Sequence, residues 1–291
     1  MLFLFAKPQD LSIIHALCMF KLTLRFTGRG CKNGNGGNKM RIQQIRNATL
    51  KIEYAGQTVL LDPWLQDKGT GFSANAIRPE MQGVKCPMDA LPCTPDTILN
   101  GVDFCLVTHL HFDHFSPDYL PKDLRIIAQN EYDAKNIRKM GFEDVQSFDS
   151  EEIEISSITI RKTKAIHGEN ESVVRKMGEV CGYVFRAPEE KTLYLAADTV
   201  YCDEVERTIE RFAPEVIILN CCGATVSLGR LIMDADDVKK VCRKAPEAII
   251  IATHLDSVNH ALYTSEDIKN YIKKEGLVQV SVPVNGETVE I

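Results

Sequence analysis

From Met40 onward, apolar and polar positions fall into short runs with turn residues between them. Arg41–Arg46, Thr49–Tyr54 and Thr58–Asp62 read as strands, and Ala55-Gly56-Gln57 joins the last two as a hairpin turn. Asp103–His109 and Arg125–Gln129 are further strands, and Glu131–Met140 is a helix closed by Gly141. Ile153–Ile155 pairs with Ser157–His167, and Cys181–Arg186 with Thr192–Asp198. After Asp198 the rhythm changes. Helices at Asp203–Phe212, Ala235–Lys244 and Ser265–Glu275, the last opening at a Thr264 cap, alternate with apolar strands at Val216–Asn220, Ala248–Thr253 and Val278–Val282. Strands that crowd early and alternate with helices late predict two sheets covered by outer helices, an α/β (α+β) class. Pro63 to Gly101, with five prolines and four glycines, is too long for an ordinary connection and reads as a functional lid or a surface excursion.

The first 39 residues break with the rest. They carry a charge of +5, against −11 for the remaining 252 residues. Their apolar stretch, interrupted by His15 and Lys21, suits neither a secretory signal nor a bilayer span. Gly36-Gly37-Asn38-Lys39 before Met40 is what a purine-rich bacterial ribosome-binding site would give if translated in frame. Residues 1–39 are therefore expected to be a mis-assigned start or an amphipathic membrane-binding arm, with a single domain over residues 40–291.

Across all 291 residues the net charge is −6, which speaks against a general nucleic-acid binder. Ten cysteines without C-x-x-C spacing form neither a disulfide framework nor a zinc ribbon, and point to reduced thiols in the cytoplasm.

The chemistry sits in the histidines. Three of the seven lie within six residues, His109-Leu110-His111-Phe112-Asp113-His114, just after the apolar strand Cys105-Leu106-Val107. On an extended strand exit, His109 and His111 share one face, and a turn near Phe112 returns Asp113 and His114 toward the same point. Two imidazoles, with a carboxylate and a third imidazole beside them, suit two adjacent borderline-soft cations. His167, Asp198 and His254 each end an apolar strand, where open sheets gather ligands.

The order H-x-H-x-D-H, then His, Asp and His, resembles the metallo-β-lactamase-fold hydrolase superfamily over residues 40–291. Leu60-Leu61-Asp62-Pro63-Trp64 is similar to the branch of ascorbate-6-phosphate lactonase-like proteins and uncharacterised metal-dependent hydrolases. The resemblance implies a four-layer αββα sandwich. It places one metal on His109, His111 and His167, a second on Asp113, His114 and His254, and Asp198 between them. It also implies that Asp62 accepts a hydrogen bond from a ligand imidazole, a role that competes with a plain strand-ending turn at Pro63. The implied reaction is hydrolysis by a metal-bridging hydroxide, with Asp113 and Asp198 as catalytic carboxylates. His111 stands where the oxygen-reducing di-iron branch has a glutamate, which favours hydrolysis.

Two divalent ions are the implied cofactors, zinc first, with manganese or iron as the other metals this donor set suits. The substrate is expected to be a small anionic ester, lactone or phosphodiester. A phosphodiesterase acting on N-acyl phospholipid or nucleic acid, and a non-catalytic metal-binding protein, are the alternatives. No nucleic-acid partner and no stable membrane insertion are expected, and a homo-oligomer stays open.

His260 is a candidate substrate-binding residue or proton donor, against a plain loop histidine. Arg161, Lys162, Lys164, Arg175 and Lys176 form either a basic edge for an anion or ordinary solvated charges. Cys221 and Cys222 read as buried small residues. Gly69–Pro95, with Phe72, Met81 and Met88, is expected to shape a partly apolar pocket.

Overall fold

The run Val216-Ile217-Ile218-Leu219 has no polar position, and its surroundings explain why. In the computed structural model, which describes residues 39–291, Val216 and Ile218 enter one apolar cluster while Ile217 and Leu219 enter another. A strand covered on both faces leaves no face for polar residues.

Two seven-stranded sheets are built on this plan. β1 (Arg41–Arg46), β2 (Thr49–Tyr54), β3 (Gln57–Leu61), β4 (Phe104–Val107), β5 (Ile126–Ala128) and β6 (Val145–Ser147) lie side by side in chain order. β1 to β3 are antiparallel, and β3 to β6 are parallel. The second sheet takes β7 (Glu152–Ile155), β8 (Ile158–Lys164), β9 (Cys181–Arg186), β10 (Leu193–Leu195) and β11 (Val216–Asn220). After a two-stranded ribbon of β12 (Thr225–Val226) and β13 (Gly229–Arg230), it continues with β14 (Ile249–Thr253) and β15 (Val280–Ser281). β16 (Thr288–Glu290) returns to pair with β1 in the first sheet.

Ile42, Ile52, Leu61 and Leu106 of the first sheet meet Ile160, Tyr183, Leu195 and Ile218 of the second in the central core. The outer face of the first sheet is covered by α1 (Pro95–Leu99) and α2 (Glu131–Lys139), through Ile98, Ala134 and Ile137. Next in the chain, α3 (Glu171–Met177) adds Val173 to the outer core of the second sheet. α4 (Asp203–Phe212), α5 (Ala235–Lys244) and α6 (Ser265–Glu275) complete that core with Ile209, Val241 and Ile268. The four layers are helix, sheet, sheet and helix. α6 starts at Thr264 with a full capping box, in which Thr264 and Asp267 satisfy each other's backbone N–H groups.

Several strands are shorter than the apolar pattern predicts. β4 stops at Val107 rather than His109, β8 at Lys164 rather than His167, and β10 at Leu195 rather than Asp198. β8 ends because its neighbour β9 begins opposite it, Lys164 pairing with Cys181, so no ladder partner remains beyond. His109, His167 and Asp198 therefore sit on the loops just past the strand ends. α3 lies in a stretch without a strong apolar period and was not expected; the Asn170 side chain caps it by accepting from Ser172 N and Val173 N.

The expected extension, residues 1–39, lies outside the described residues but for Lys39. Among the described residues, all eight cysteines are free, and no helix is long and apolar enough to cross a membrane.

Replacing Ile218 by Ala, deep in the central core, is expected to lower unfolding stability by about 2–5 kcal/mol, from lost burial and the cavity left behind. Val278→Ala, on a side chain 97% exposed, should change it by less than about 0.5 kcal/mol. Denaturant titration of both variants measures the difference, and equal losses would contradict the assignment of the core.

Candidate metal centre

Five histidines and two aspartates converge at one end of the two sheets. After β4 the chain makes a tight turn in which His114 N and Phe115 N both donate to His111 O, at 3.0 and 3.1 Å. The turn lets one short segment supply His109, His111, Asp113 and His114 to a single point. Gly168 beside His167 has φ +143°, and a Cβ there would meet Val173 Cγ1 at 2.4 Å, so only glycine fits this bend. Asp62, Ala197 and His254 also take left-handed backbone, with φ of 43°, 57° and 63°. Strain of this kind gathers where side chains must leave a sheet toward a common centre.

His109, His111 and His167 each bring a ring nitrogen within 4.8 Å of the others, and Asp113, His114 and His254 bring donor atoms together in the same way. Asp198 forms a third group with His109 and His114, between the first two. Its Oδ2 is 3.2 Å from His114 Nε2 and 3.5 Å from His167 Nε2, and its Oδ1 is 3.7 Å from His254 Nε2. Asp113 Oδ2 lies 3.3 Å from His254 Nε2.

The far side of each imidazole is also engaged. His111 Nε2 lies 3.0 Å from Met177 O, and His167 Nδ1 3.0 Å from Leu231 O. His114 Nδ1 lies 2.8 Å from Asp62 Oδ2, and His254 Nδ1 faces Cys222 Sγ at 3.5 Å. Thr108 Oγ1 donates to Asp62 Oδ2 at 2.7 Å, which leaves its lone pairs for His109 Nδ1–H at 2.9 Å. With acceptors outside, the N–H of each imidazole points outward and the inner nitrogen offers a lone pair. His111 Nδ1 then stands 2.9 Å from His109 Nε2 and 3.3 Å from His167 Nε2, and a single nitrogen cannot satisfy both by hydrogen bonding alone. Converging lone pairs with two carboxylates beside them are a donor set that fits divalent cations.

The electrostatics agree. Burial pulls His109, His111 and His167 below the usual imidazole range and keeps them neutral, the form that coordinates a metal. Burial also opposes the charge on His114, but Asp198 and Asp62 outweigh it and push His114 up to about 10. His254 is raised in the same way, chiefly by Asp198. Burial disfavours ionised Asp113 and Asp198, yet His254 and His114 hold both well below the carboxylate range. The carboxylates are thus charged, the form in which they would hold a cation.

The family model described as a beta-lactamase superfamily domain matches residues 41–254. The chain belongs to the beta-lactamase superfamily. The UPF0173 protein YddR of Bacillus subtilis is 41% identical over 256 residues, covering 86% of this chain and 99% of that one. A UPF0173 metal-dependent hydrolase of Methanosphaerula palustris is 26% identical over 203 residues, covering 67% of this chain and 89% of its own length. Among solved structures, a possible metal-dependent hydrolase from Veillonella parvula superposes with a TM-score of 0.82 at 35% identity, covering 87% of this chain and all of that one. An isothiocyanate hydrolase from Delia radicum gut bacteria gives 0.81 at 34% identity, covering 87% and 99%. With its His/Asp cluster, the chain is a metal-dependent hydrolase of the metallo-β-lactamase fold.

A cavity of about 260 Å³ opens onto this superfamily site. Phe72, Phe112, Met177, Val226 and Leu231 line it opposite His111, Asp113, His167, Asp198 and His254, and His260 lines it too. Of the three lid residues expected to shape the pocket, only Phe72 lines it; Met81 and Met88 do not. The basic edge is mostly spent on structure. Arg161 pairs with Glu151 and Glu152, and Lys162 donates to Gln129 O and Phe148 O. Lys176 alone of that set lines the cavity.

Sequence reading missed Asn47 and Asn220. Asn47, in the β1–β2 turn, places Nδ2 3.2 Å from Asp113 O and from His254 Nε2. Asn220 Nδ2 donates to Asp198 Oδ1 at 2.7 Å. A signal for Asn220 existed: a polar residue closing an otherwise apolar strand. Asn47 had none, because its reach depends on the two sheets meeting.

Asp62 accepts from Thr108 N, Thr108 Oγ1 and His114 Nδ1 at 2.7 to 2.8 Å, so it aligns His114 directly and His109 through Thr108. Asp62→Ala is expected to weaken zinc or manganese retention about 10–100-fold. Competition against a chromogenic chelator measures this, with circular dichroism to confirm folding. A folded variant that holds metal as tightly as the parent would remove Asp62 from this role.

Proposed function

We propose that the protein is a dinuclear metallo-hydrolase, in which His109, His111 and His167 hold one divalent cation and Asp113, His114 and His254 hold the other, with Asp198 reaching both. The observation that carries this reading is the outward pinning of the imidazoles, which turns their inner nitrogens toward two adjoining points. Bound divalent cations supply a water ionised near neutral pH and Lewis-acid polarisation of the substrate atom that gains charge. The nitrogen and oxygen donors suit zinc first, then manganese or iron.

The chain's own residues supply the rest. Asp113, held ionised, lines the cavity; its Oδ2 is engaged by His254, and its Oδ1 has no hydrogen-bond partner among the described residues. Oδ1 accepts a hydrogen bond from the attacking water and so orients it, while the water's proton passes to solvent. Asp198, fixed by Asn220, holds its carboxylate between the two histidine groups. Phe72, Phe112 and Leu231 exclude bulk water and give an apolar substituent a surface to bury.

This wall favours a small neutral electrophile, and the likeness to an isothiocyanate hydrolase at 34% identity makes an organic isothiocyanate the first substrate class. Water oxygen bonds to the central carbon as the water loses one proton to solvent, and the C=N π pair moves to nitrogen, which takes a proton from solvent, giving a thiocarbamic acid. A small ester, lactone or phosphodiester is the second reading, favoured by Lys176 in the cavity lining.

Protein purified without added metal, analysed by elemental mass spectrometry, is expected to carry about two equivalents of metal per chain. Asp113→Ala should lower metal content and abolish turnover of phenethyl isothiocyanate or of a nitrophenyl ester and phosphodiester panel. A chain that takes up neither zinc nor manganese would overturn the dinuclear reading.

A further inference from the structure

His260 has no place in the donor set, yet it lines the same cavity as Asp113, Asp198 and His254. The residue is only 8% exposed, and its ring meets Phe72 edge-on with centroids 6.3 Å apart. Nδ1 is sealed from solvent and has no hydrogen-bond partner, which leaves Nε2 as the nitrogen open to the cavity. A buried imidazole with no partner for either nitrogen is costly unless a partner arrives from elsewhere. In this respect His260 is unlike the five histidines of the metal centre, whose outer nitrogens all face a partner.

An orphaned N–H is rarer in protein interiors than an orphaned acceptor. The single proton of the neutral ring therefore belongs on Nε2, facing the cavity. Burial also disfavours the imidazolium form.

The position is held firmly. Thr225 N donates to His260 O at 3.0 Å. The neighbouring Asn259 is fully buried and laces the long Pro63–Gly101 segment to the His254–His260 loop. Its Nδ2 donates to Ala74 O at 2.8 Å and Met81 O at 3.1 Å, and its Oδ1 accepts from Ala74 N at 3.0 Å. The same lacing fixes Phe72 against the ring. A donor fixed before substrate arrives needs no reorganisation when charge develops.

We propose that His260 is a catalytic residue whose neutral Nε2–H donates a hydrogen bond to the substrate heteroatom on which negative charge develops. This rests on the hydrolase reading above and gives that site its electrophilic donor. With an isothiocyanate, water oxygen bonds to carbon and the C=N π pair localises on nitrogen, where Nε2–H meets it. The proton released by water passes to solvent, and the substrate nitrogen takes a proton from solvent, so His260 keeps its proton throughout. With an ester, the carbonyl oxygen takes the same place.

The test compares His260→Ala and His260→Gln in the full chain, loaded with zinc. Ala is expected to lower kcat about 100- to 1,000-fold with little change in KM, and to retain the parent's metal content. Gln, which restores an N–H near the position of Nε2, should recover at least about 10-fold of that loss. Loss of metal in His260→Ala would make His260 a ligand and overturn the proposal. A rise in KM at unchanged kcat, or no rescue by Gln, would reduce it to a wall residue and overturn it as well. Nitrogen-15 NMR of the histidine ring gives a readout independent of turnover. A neutral ring protonated on Nε2 supports the proposal, and a ring protonated on Nδ1 or on both nitrogens defeats it. If the parent protein binds metal but turns over nothing in the panel, the substrate reading fails while the NMR result still decides the state of His260.

Discussion

One buried carboxylate orders two of the histidines in the candidate metal centre. Asp62 ends β3 in left-handed backbone, with its side chain shielded from solvent and surrounded by three donors. It aligns His114 directly, and His109 through the Thr108 hydroxyl. A hydrogen bond on the outer nitrogen fixes both the tautomer and the ring plane, and so decides where the inner lone pair points. Burial works against ionisation of Asp62 and raises it above the carboxylate range, so its donors are part of what makes the position tenable. Met177 O, Leu231 O and Cys222 Sγ serve the remaining histidines in the same manner, each from a different element.

The two sheets make such a centre possible because they are rigid and end together. Their facing sides bury isoleucine, leucine and aromatic residues, and the helices seal their backs. Loops leaving the strand ends then project side chains from a fixed frame. The long segment after β3 has few regular elements and is tied down by other means. Arg46 is fully buried, donates to Trp64 O and Gln66 O at 2.8 Å and to Asp89 O at 3.1 Å, and stacks over the Trp64 ring. Burial lowers Arg46 to about 10, which still leaves it charged at neutral pH, so the carbonyls face a full cation. Arg46 at one end and Asn259 at the other turn an irregular segment into a wall for the cavity.

That wall is largely apolar, although basic residues flank His167 in the sequence. Most of the basic residues between Arg161 and Lys176 are paired on the surface or satisfied by carbonyls, and of that set Lys176 alone joins the aromatic and aliphatic side chains that line the cavity. Affinity in such a site comes from burying an apolar group, and direction comes from a few polar atoms. His260 and Asp113 each bring a polar atom there that has no hydrogen-bond partner among the described residues.

The ligand spacing and most of the elements were legible in the chain itself. Three histidines in six residues, and His167, Asp198 and His254 following apolar runs, are local patterns that survive without knowledge of the fold. So were the helices at Asp203–Phe212, Ala235–Lys244 and Ser265–Glu275, whose periods and caps lie within a dozen residues. Strand ends were not legible, because a ladder stops where its neighbour stops, as β8 does opposite Cys181. Asn47, Cys222 and the carbonyls of Met177 and Leu231 were invisible for the same reason: each acts on a histidine only once distant segments are packed. Sequence alone determined the candidate metal-binding side chains and the class of fold that carries them. Only the tertiary structure decided which nitrogen each imidazole presents and which side chains line the cavity beside them, because hydrogen bonds and burial are properties of neighbours in space.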